Sequence, residues 1–181
     1  QIAKKRHIAA KLLVEPGARV LDIGCGWGGL ALYLAQTCGA TVTGITLSEE
    51  QLKIAQARAT DSQLSSRVNF RLMDYRAVAG PYDRIVSVGM FEHVGAADYT
   101  TYFQVANRAL ADDGVMLLHS IGRFDGASAT NPWIAKHVFP GGCLPSVQSL
   151  MTSMTRASQF RLVHLEDFAP HYARTLREWR T

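Results

Sequence analysis

Residues 20–29 read VLDIGCGWGG, and this stretch decides the fold. An aliphatic run stops at four glycines, and a helical pattern follows them. Glycine is needed where the backbone takes a positive φ or approaches a ligand closely, and the free N–H groups of a following helix favour electron-rich ligand atoms. The stretch therefore predicts a strand, a tight ligand-binding turn and the start of a helix.

Length and composition set the class of protein. The chain has 181 residues, of which 48% are hydrophobic, so we expect a single domain over residues 1–181. The 19 Lys and Arg against 15 Asp and Glu give a net charge of +4. This excess is modest, and basic residues do not cluster near aromatic ones, which argues against a nucleic-acid-binding module. We interpret the run Lys4-Lys5-Arg6 as a solvated helix face.

The cysteines and the hydropathy pattern indicate the compartment. Cys25, Cys38 and Cys143 are too scattered for a metal site, so we expect no bound metal. Their odd number indicates free thiols in a reducing compartment, with the cytoplasm as the default. No secretory leader pattern opens the sequence, and no apolar run reaches the length of a membrane span. Any membrane contact is therefore expected to be peripheral.

Strand and helix patterns alternate along the chain, which predicts an α/β fold with right-handed crossovers and a parallel sheet. The predicted strands cover residues 19–24, 41–46, 67–72, 83–89, 114–121 and 161–167. The predicted helices cover residues 2–14, 28–38, 48–60, 98–111, 146–158 and a basic end from 171. We interpret the irregular stretch 123–145 as a lid or lipid-contact loop, because long loops in compact domains are usually functional.

Polar residues follow five of the predicted strands. They are the glycine turn, Thr46, Asp74-Tyr75, Glu92-His93 and His119-Ser120-Ile121. Ligands of open α/β sheets bind outside the carboxyl ends of the strands, so these residues are predicted to line one cleft.

Several of these residues keep a second interpretation. A dinucleotide site expects an acid about 20 residues after the glycines, but Thr46 ends the second strand. Ser48 and Gln51 then either serve a ligand, or form a capping box, or do both. Asp74 could close a turn, and Glu92 could cap the following segment. His119, in an aliphatic run, could be a hydrogen-bonded core histidine.

Six segments together resemble one enzyme family. They read LDIGCGWGGL, GITLSEEQ, DRIVSVGMFEHVG, GVMLLHSIG, FPGGCLPS and HYARTL. In this order they are similar to the cyclopropane-fatty-acyl-phospholipid synthase and mycolic acid cyclopropane synthase family of S-adenosylmethionine (SAM)-dependent methyltransferases. The resemblance covers nearly the whole chain and implies the Rossmann-like class I SAM-dependent methyltransferase fold.

The resemblance also implies a reaction and its residues. Such enzymes add the SAM methyl group to the alkene of an unsaturated phospholipid acyl chain, and a base then removes a proton to close a cyclopropane ring. In the family, bound bicarbonate is the expected base. The matching catalytic positions are Glu92, His119, Ile121 and Tyr172. We expect the family's bicarbonate-binding cysteine to lie before residue 1, so Cys25 does not replace it.

Family analogy places SAM along the first strands. Gly24 and Gly26 are expected near its methionine portion, Thr46 and Gln51 near the ribose, and Asp74-Tyr75 beside the adenine. The predicted cofactor-binding set is Asp22, Gly24, Cys25, Gly26, Trp27, Gly28, Thr46, Leu47, Ser48, Gln51, Asp74 and Tyr75. Asp22 could instead only organise the glycine loop.

The resemblance leaves other points open. We expect a fragment truncated at both ends, without the last antiparallel strand of the family's sheet. The partner is expected to be an unsaturated phospholipid or acyl chain at a membrane surface, and a homodimer is compatible with the sequence. Two other functions stay open: methyl transfer to carbon, nitrogen or oxygen of another molecule, and SAM binding without catalysis.

Overall fold

The computed structural model describes residues 1–125, 136 and 144–180. Five strands form its sheet: β1 (Arg19–Ile23), β2 (Thr41–Thr46), β3 (Val68–Leu72), β4 (Tyr82–Val88) and β5 (Leu110–His119). The strands pair in parallel in the order β3-β2-β1-β4-β5. The α/β fold with a parallel sheet is thus confirmed.

Helices cover both faces of this sheet. In the described part of the chain they are α1 (Ile2–Lys11), α2 (Gly29–Cys38), α3 (Glu49–Asp61), α4 (Tyr99–Ala109), α5 (Val147–Ala157) and α6 (Ala169–Arg180). Short 3-10 helices cover Tyr75–Ala77, Phe91–His93 and Ala96–Asp98. The first two of these follow β3 and β4 directly, at the edge of the sheet where a ligand is expected.

The order of the strands reverses at β1, which lies between β2 and β4. Asp22 of β1 is aligned with Gly44 on one side and Val86 on the other. A parallel sheet opens a crevice at the carboxyl ends of the strands where the order reverses. The glycine turn after β1 therefore begins at the natural ligand site of the fold.

Alternating residues of the strands bury two separate cores. Val20 and Val42 pack under α1, α2 and α3, whereas Leu21 and Ile85 pack under α4 and α5. Leu21 is fully buried. Burying one aliphatic side chain of this size stabilises a fold by about 1.5–3 kcal/mol, so the alternation fixes which face each helix covers.

The sequence prediction differs from the structure at two strands. β5 begins at Leu110 rather than 114, so it follows α4 without a loop. The predicted strand 161–167 is wrong, because residues 158–168 form neither helix nor strand and residues 161–168 are exposed. Its alternating pattern has no neighbouring strand to pair with among the described residues, and side-chain contacts with α1 hold the segment instead.

Candidate functional site

The glycine turn is tied to the end of β2. The N–H groups of Gly24 and Cys25 both donate to the Ile45 carbonyl, at 3.0 and 2.9 Å. Arg58 of α3 donates to the Trp27 carbonyl at 2.7 Å and so holds the turn from outside. This contact joins residues 31 positions apart. The sequence analysis missed Arg58 because no local pattern marks it.

Two glycines of the turn are required for different reasons. Gly28 has φ +76°, and a Cβ there would lie 2.5 Å from Cζ of Phe70, so a side chain would collide with the core. Gly26 has φ +54°, and no atom lies within 4 Å of the position of a Cβ. The backbone at Gly26 is thus open on that side, as close approach to a ligand requires.

Asp22 is a buried carboxyl group directly behind this turn. It is 2% exposed, and its Oδ2 has no hydrogen-bond partner in the described part of the chain. Burial raises the pKa of Asp22 to about 7. Burial, together with the nearby Asp22, raises the pKa of the Cys25 thiol to about 12, so Cys25 stays protonated. The unpartnered oxygen of Asp22 fits a cationic group of a ligand.

Ser48 has the capping role that the sequence suggested. Its Oγ accepts a hydrogen bond of 3.2 Å from the N–H of Gln51, which starts α3. Thr46 is buried, and its hydroxyl donates to Oε1 of Gln51 at 2.8 Å. Leu47, by contrast, is exposed. The three polar side chains form one network at the end of β2, and their part in ligand binding stays a prediction.

Asp74 and Tyr75 lie at the end of β3. Asp74 Oδ1 accepts from the Arg76 N–H at 2.8 Å, and its Oδ2 pairs with the Arg76 guanidinium at 2.7 Å. The guanidinium lowers the pKa of Asp74. The turn-closing interpretation of Asp74 is thus confirmed. The Tyr75 ring packs edge-on against Tyr102, with the ring centroids 5.3 Å apart.

Glu92 connects the ends of β4 and β5. Its side chain is 5% exposed, and Oε1 accepts a hydrogen bond of 2.6 Å from the Ile121 N–H. Its second oxygen, Oε2, is buried without a partner in the described residues. The preceding Phe91 is fully buried against Tyr99, Tyr102 and Phe103, which anchors the short helix that carries Glu92.

His119 ends β5 beside this carboxylate. Its carbonyl accepts from the Gly89 N–H at 2.9 Å, while the ring Nδ1 is buried without a partner among the described residues. Burial lowers the pKa of His119, as does Lys4 of α1, and Glu92 opposes them. The ring is therefore neutral at neutral pH. This orphaned Nδ1 distinguishes His119 from a fully hydrogen-bonded core histidine.

The remaining predicted site residues, Trp27 and Tyr172, differ in their exposure to solvent. Trp27 is exposed at the turn. Tyr172 lies on α6 with a half-buried side chain, and its place beside Glu92 and His119 stays a prediction. Residues 123–145 were interpreted as a lid or lipid-contact loop. Most of them, including Cys143, lie outside the described residues.

In the described residues no cluster of His, Cys, Asp and Glu could hold a metal ion, and no helix could cross a membrane.

Comparison with known proteins identifies the family to which the chain is similar. The family model for mycolic acid cyclopropane synthetase matches residues 1–181. Over 179 residues the chain is 46% identical to the cyclopropane-fatty-acyl-phospholipid synthase of Escherichia coli, covering 99% of this chain and 45% of that protein. It is 40% identical to a probable fatty acid methyltransferase of Pseudomonas putida, covering 96% of this chain and 45% of that protein. The chain thus spans about half the length of these curated relatives.

A solved structure agrees with these matches. The mycolic acid cyclopropane synthase CmaA1, complexed with SAH and CTAB, superposes with a TM-score of 0.87 at 34% identity. The alignment covers 99% of this chain and 67% of that one. The fold is accordingly that of the class I SAM-dependent methyltransferases, as the sequence predicted. The chain belongs to the mycolic acid cyclopropane synthetase family.

Proposed function

We propose that this chain is the catalytic part of a cyclopropane-fatty-acyl-phospholipid synthase. The reaction would transfer a methylene group from SAM to the double bond of an unsaturated acyl chain in a phospholipid. Bound bicarbonate would serve as the base. The name of the E. coli relative and the CTAB complex of CmaA1 both support a lipid substrate.

The proposal rests on the arrangement of Glu92 and His119. Glu92 and His119 lie at the ends of adjacent strands, and each presents a buried polar atom that has no partner in the described residues, Oε2 and Nδ1. Buried polar groups in proteins are almost always hydrogen-bonded. A small ion with both donor and acceptor oxygens, such as bicarbonate, matches a carboxylate acceptor beside a neutral imidazole.

The chemistry needs a base only after the methyl group has been transferred. An alkene has no proton to lose before it attacks a methyl group, but the resulting carbocation must lose one to close the ring. When bound, SAM supplies the methyl group and bicarbonate the basic oxygen. Glu92 would orient the base, and His119 and Tyr172 would donate hydrogen bonds to it. The Ile121 N–H already donates to Glu92, so it would be shared between two acceptors.

The residues of the glycine turn fit SAM. Asp22 offers a carboxylate oxygen, without a partner among the described residues, for the ammonium of the methionine portion. Gly26 offers open space next to its backbone. Thr46 and Gln51 would serve the ribose side, and Asp74 and Tyr75 would border the adenine. We further propose that the protein acts in the cytoplasm at the surface of a membrane that contains its lipid substrate.

The test uses the full-length protein that carries this chain. It is incubated with methyl-deuterated SAM and vesicles of unsaturated phospholipid, and the lipids are analysed by mass spectrometry. Loss of the alkene with two of the three deuterium atoms retained in a ring supports the proposal, because ring closure removes one of them. SAM binding without any labelled lipid overturns it.

The same experiment decides between ring closure and simple methylation. The name of the Pseudomonas putida relative favours the latter as the second candidate. Retention of all three deuterium atoms in a branched chain would establish methyl transfer without ring closure. Repeating the assay in bicarbonate-depleted buffer tests the base: activity that falls and returns with added bicarbonate supports its role, and unchanged activity excludes it.

A further inference from the structure

Residues 158–168, which we call the strap, run in an exposed path from α5 to α6 and lie against α1. Lys11 donates to Nε2 of His164 at 2.7 Å and pairs with Oε2 of Glu166 at 2.9 Å. His7, one turn earlier on α1, donates to the same oxygen of Glu166 at 3.0 Å. Glu166 is thus held by two side chains of the first helix.

The strap continues directly into the helix that carries Tyr172. Phe168 packs edge-on against the His7 ring, with the ring centroids 5.7 Å apart. The Phe168 carbonyl accepts hydrogen bonds of 2.9 Å from the N–H groups of His171 and Tyr172. Within residues 169–178, Tyr172 has the single side chain that is not exposed. The anchoring of the strap therefore helps to set the position of Tyr172, because the strap supplies the backbone acceptor for its N–H.

The first helix is itself fixed against the sheet, and one of its lysines influences His119 electrostatically. Ile8 and Leu12 are buried in the core that covers β1. Lys4, one turn before Ile8, is close enough to His119 to contribute to the lowering of its pKa. α1 thus connects the strap before Tyr172 with the end of β5, where His119 lies.

We propose that Glu166, held by Lys11 and His7, is a positioning residue that sets Tyr172 relative to Glu92 and His119. This inference rests on the proposed function, because it assumes that Tyr172 acts in that site. Glu166 itself touches no reacting group. The Lys11 ammonium, and after it the His7 ring, lower the pKa of Glu166 to about 2, so it stays ionised over the working pH range.

An exposed ion pair contributes little to global stability, so a purely structural role for Glu166 predicts almost no effect of its loss. A positioning role predicts a different pattern, because small displacements of a catalytic group lower the rate of the chemical step. Glu166→Gln and Lys11→Met are each expected to lower kcat about three- to tenfold while KM for SAM stays unchanged. Glu15→Gln and Lys53→Met, which remove exposed charges elsewhere, are the matched controls.

The experiment measures kcat and KM of the full-length protein together with hydrogen exchange of the segment 168–178. In the single variants, the amide hydrogens of this segment should exchange faster than in the wild type and the controls. The charge-swapped double variant Lys11→Glu/Glu166→Lys should restore both the wild-type kcat and the slow hydrogen exchange. Unchanged exchange, unchanged kcat or an unrescued double variant overturns the inference. A wild-type protein that forms no ring overturns the proposed function instead, and the exchange rates then still test whether Glu166 anchors α6.

Discussion

The Glu92 carboxylate and the Ile121 N–H are joined by a hydrogen bond of 2.6 Å across 29 residues. The bond links the short helix after β4 to the segment after β5, so the ends of these adjacent strands hold each other in place. Only one oxygen of Glu92 takes part in it, and the other is buried without a hydrogen-bond partner among the described residues.

Glu92→Gln separates the structural role of this residue from its chemical role. A glutamine oxygen can still accept from Ile121, so the free energy of unfolding should change little. The amide nitrogen, however, donates where the carboxylate accepted, so ring formation should fall by about a hundredfold or more. Product formation, SAM affinity and chemical denaturation are measured on the same preparation.

Glu92→Ala is the companion variant. It leaves the half-buried Ile121 N–H without this acceptor, which should cost about 1–2 kcal/mol of stability. SAM affinity should be retained in both variants, because the glycine turn is on a different strand. A loss of SAM binding equal to the loss of ring formation would contradict the role assigned to Glu92.

The lowered pKa of His119 predicts how stability depends on pH. The unfolded chain binds a proton at His119 near its ordinary pKa of 6.5, whereas the folded protein binds it only at lower pH. At His119 the unfolded state therefore holds more protons than the folded state between these two values, so the His119 contribution to stability rises with pH across that window. Asp22, whose pKa burial raises to about 7, contributes in the opposite direction. The His119 contribution is fully present above about pH 6.5 and is lost as the pH falls through the folded pKa.

His119→Gln should make the slope of the free energy of unfolding against pH less positive below pH 6.5, and chemical denaturation at a series of pH values between 5 and 8 measures it. His93→Gln changes an exposed histidine next to Glu92 and is the matched control. Its slope of the free energy of unfolding against pH should equal that of the wild type. If His119→Gln keeps the wild-type slope as well, the ring of His119 is not the group that titrates.

Much of this site follows from local sequence patterns. The glycines between β1 and α2, and Ser48 before α3, are recognisable because turns and helix caps depend on residues a few positions apart. Glu92 and His119 could be placed together by one rule of topology, namely that the carboxyl ends of parallel strands meet at one edge. That rule needs no knowledge of side-chain contacts.

The sequence prediction that failed concerns a segment whose structure depends on long-range contacts. Residues 161–167 alternate like a strand, yet a strand forms only where a neighbouring strand offers backbone partners, and His164 and Glu166 contact α1 instead. The hydrogen bond between Lys11 and His164 spans 153 residues. No local pattern encodes such a contact. The solvated-face interpretation of Lys4 is confirmed, because Lys4 is exposed, but the sequence pattern gave no sign of its influence on His119.

Ser48 and Gln51 can be separated by their effects on folding and on SAM binding. Ser48→Ala removes the acceptor for the Gln51 N–H at the start of α3 and should cost about 1 kcal/mol of stability with little change in SAM affinity. Gln51→Ala should weaken SAM binding about tenfold, because the loss of one buried side-chain hydrogen bond costs on the order of 1–2 kcal/mol.

Titration calorimetry with SAM and thermal unfolding measure the two effects. Gln36→Ala, an exposed glutamine on α2, is the control and should change neither quantity. A Gln51→Ala protein that binds SAM as tightly as the wild type would restrict Gln51 to its contact with Thr46.

Gly28 and Gly17 offer a matched pair for testing why the turn needs glycine. Both have left-handed backbones, with φ of +76° and +83°, but a Cβ at Gly17 would meet no atom within 4 Å. Gly17→Ala should therefore cost only the backbone strain, about 1–2 kcal/mol. Gly28→Ala should cost about 1–3 kcal/mol more, because its Cβ would lie 2.5 Å from Cζ of the buried Phe70.

A double variant identifies the source of that extra cost. Phe70→Leu shortens the side chain that the new Cβ would strike, so it should destabilise the Gly28→Ala protein less than it destabilises the wild type. Chemical denaturation of the four proteins in this cycle measures the coupling. Additive effects would mean that contact with Phe70 does not explain the glycine. The requirement at Gly28 would then lie in the left-handed backbone conformation that starts α2.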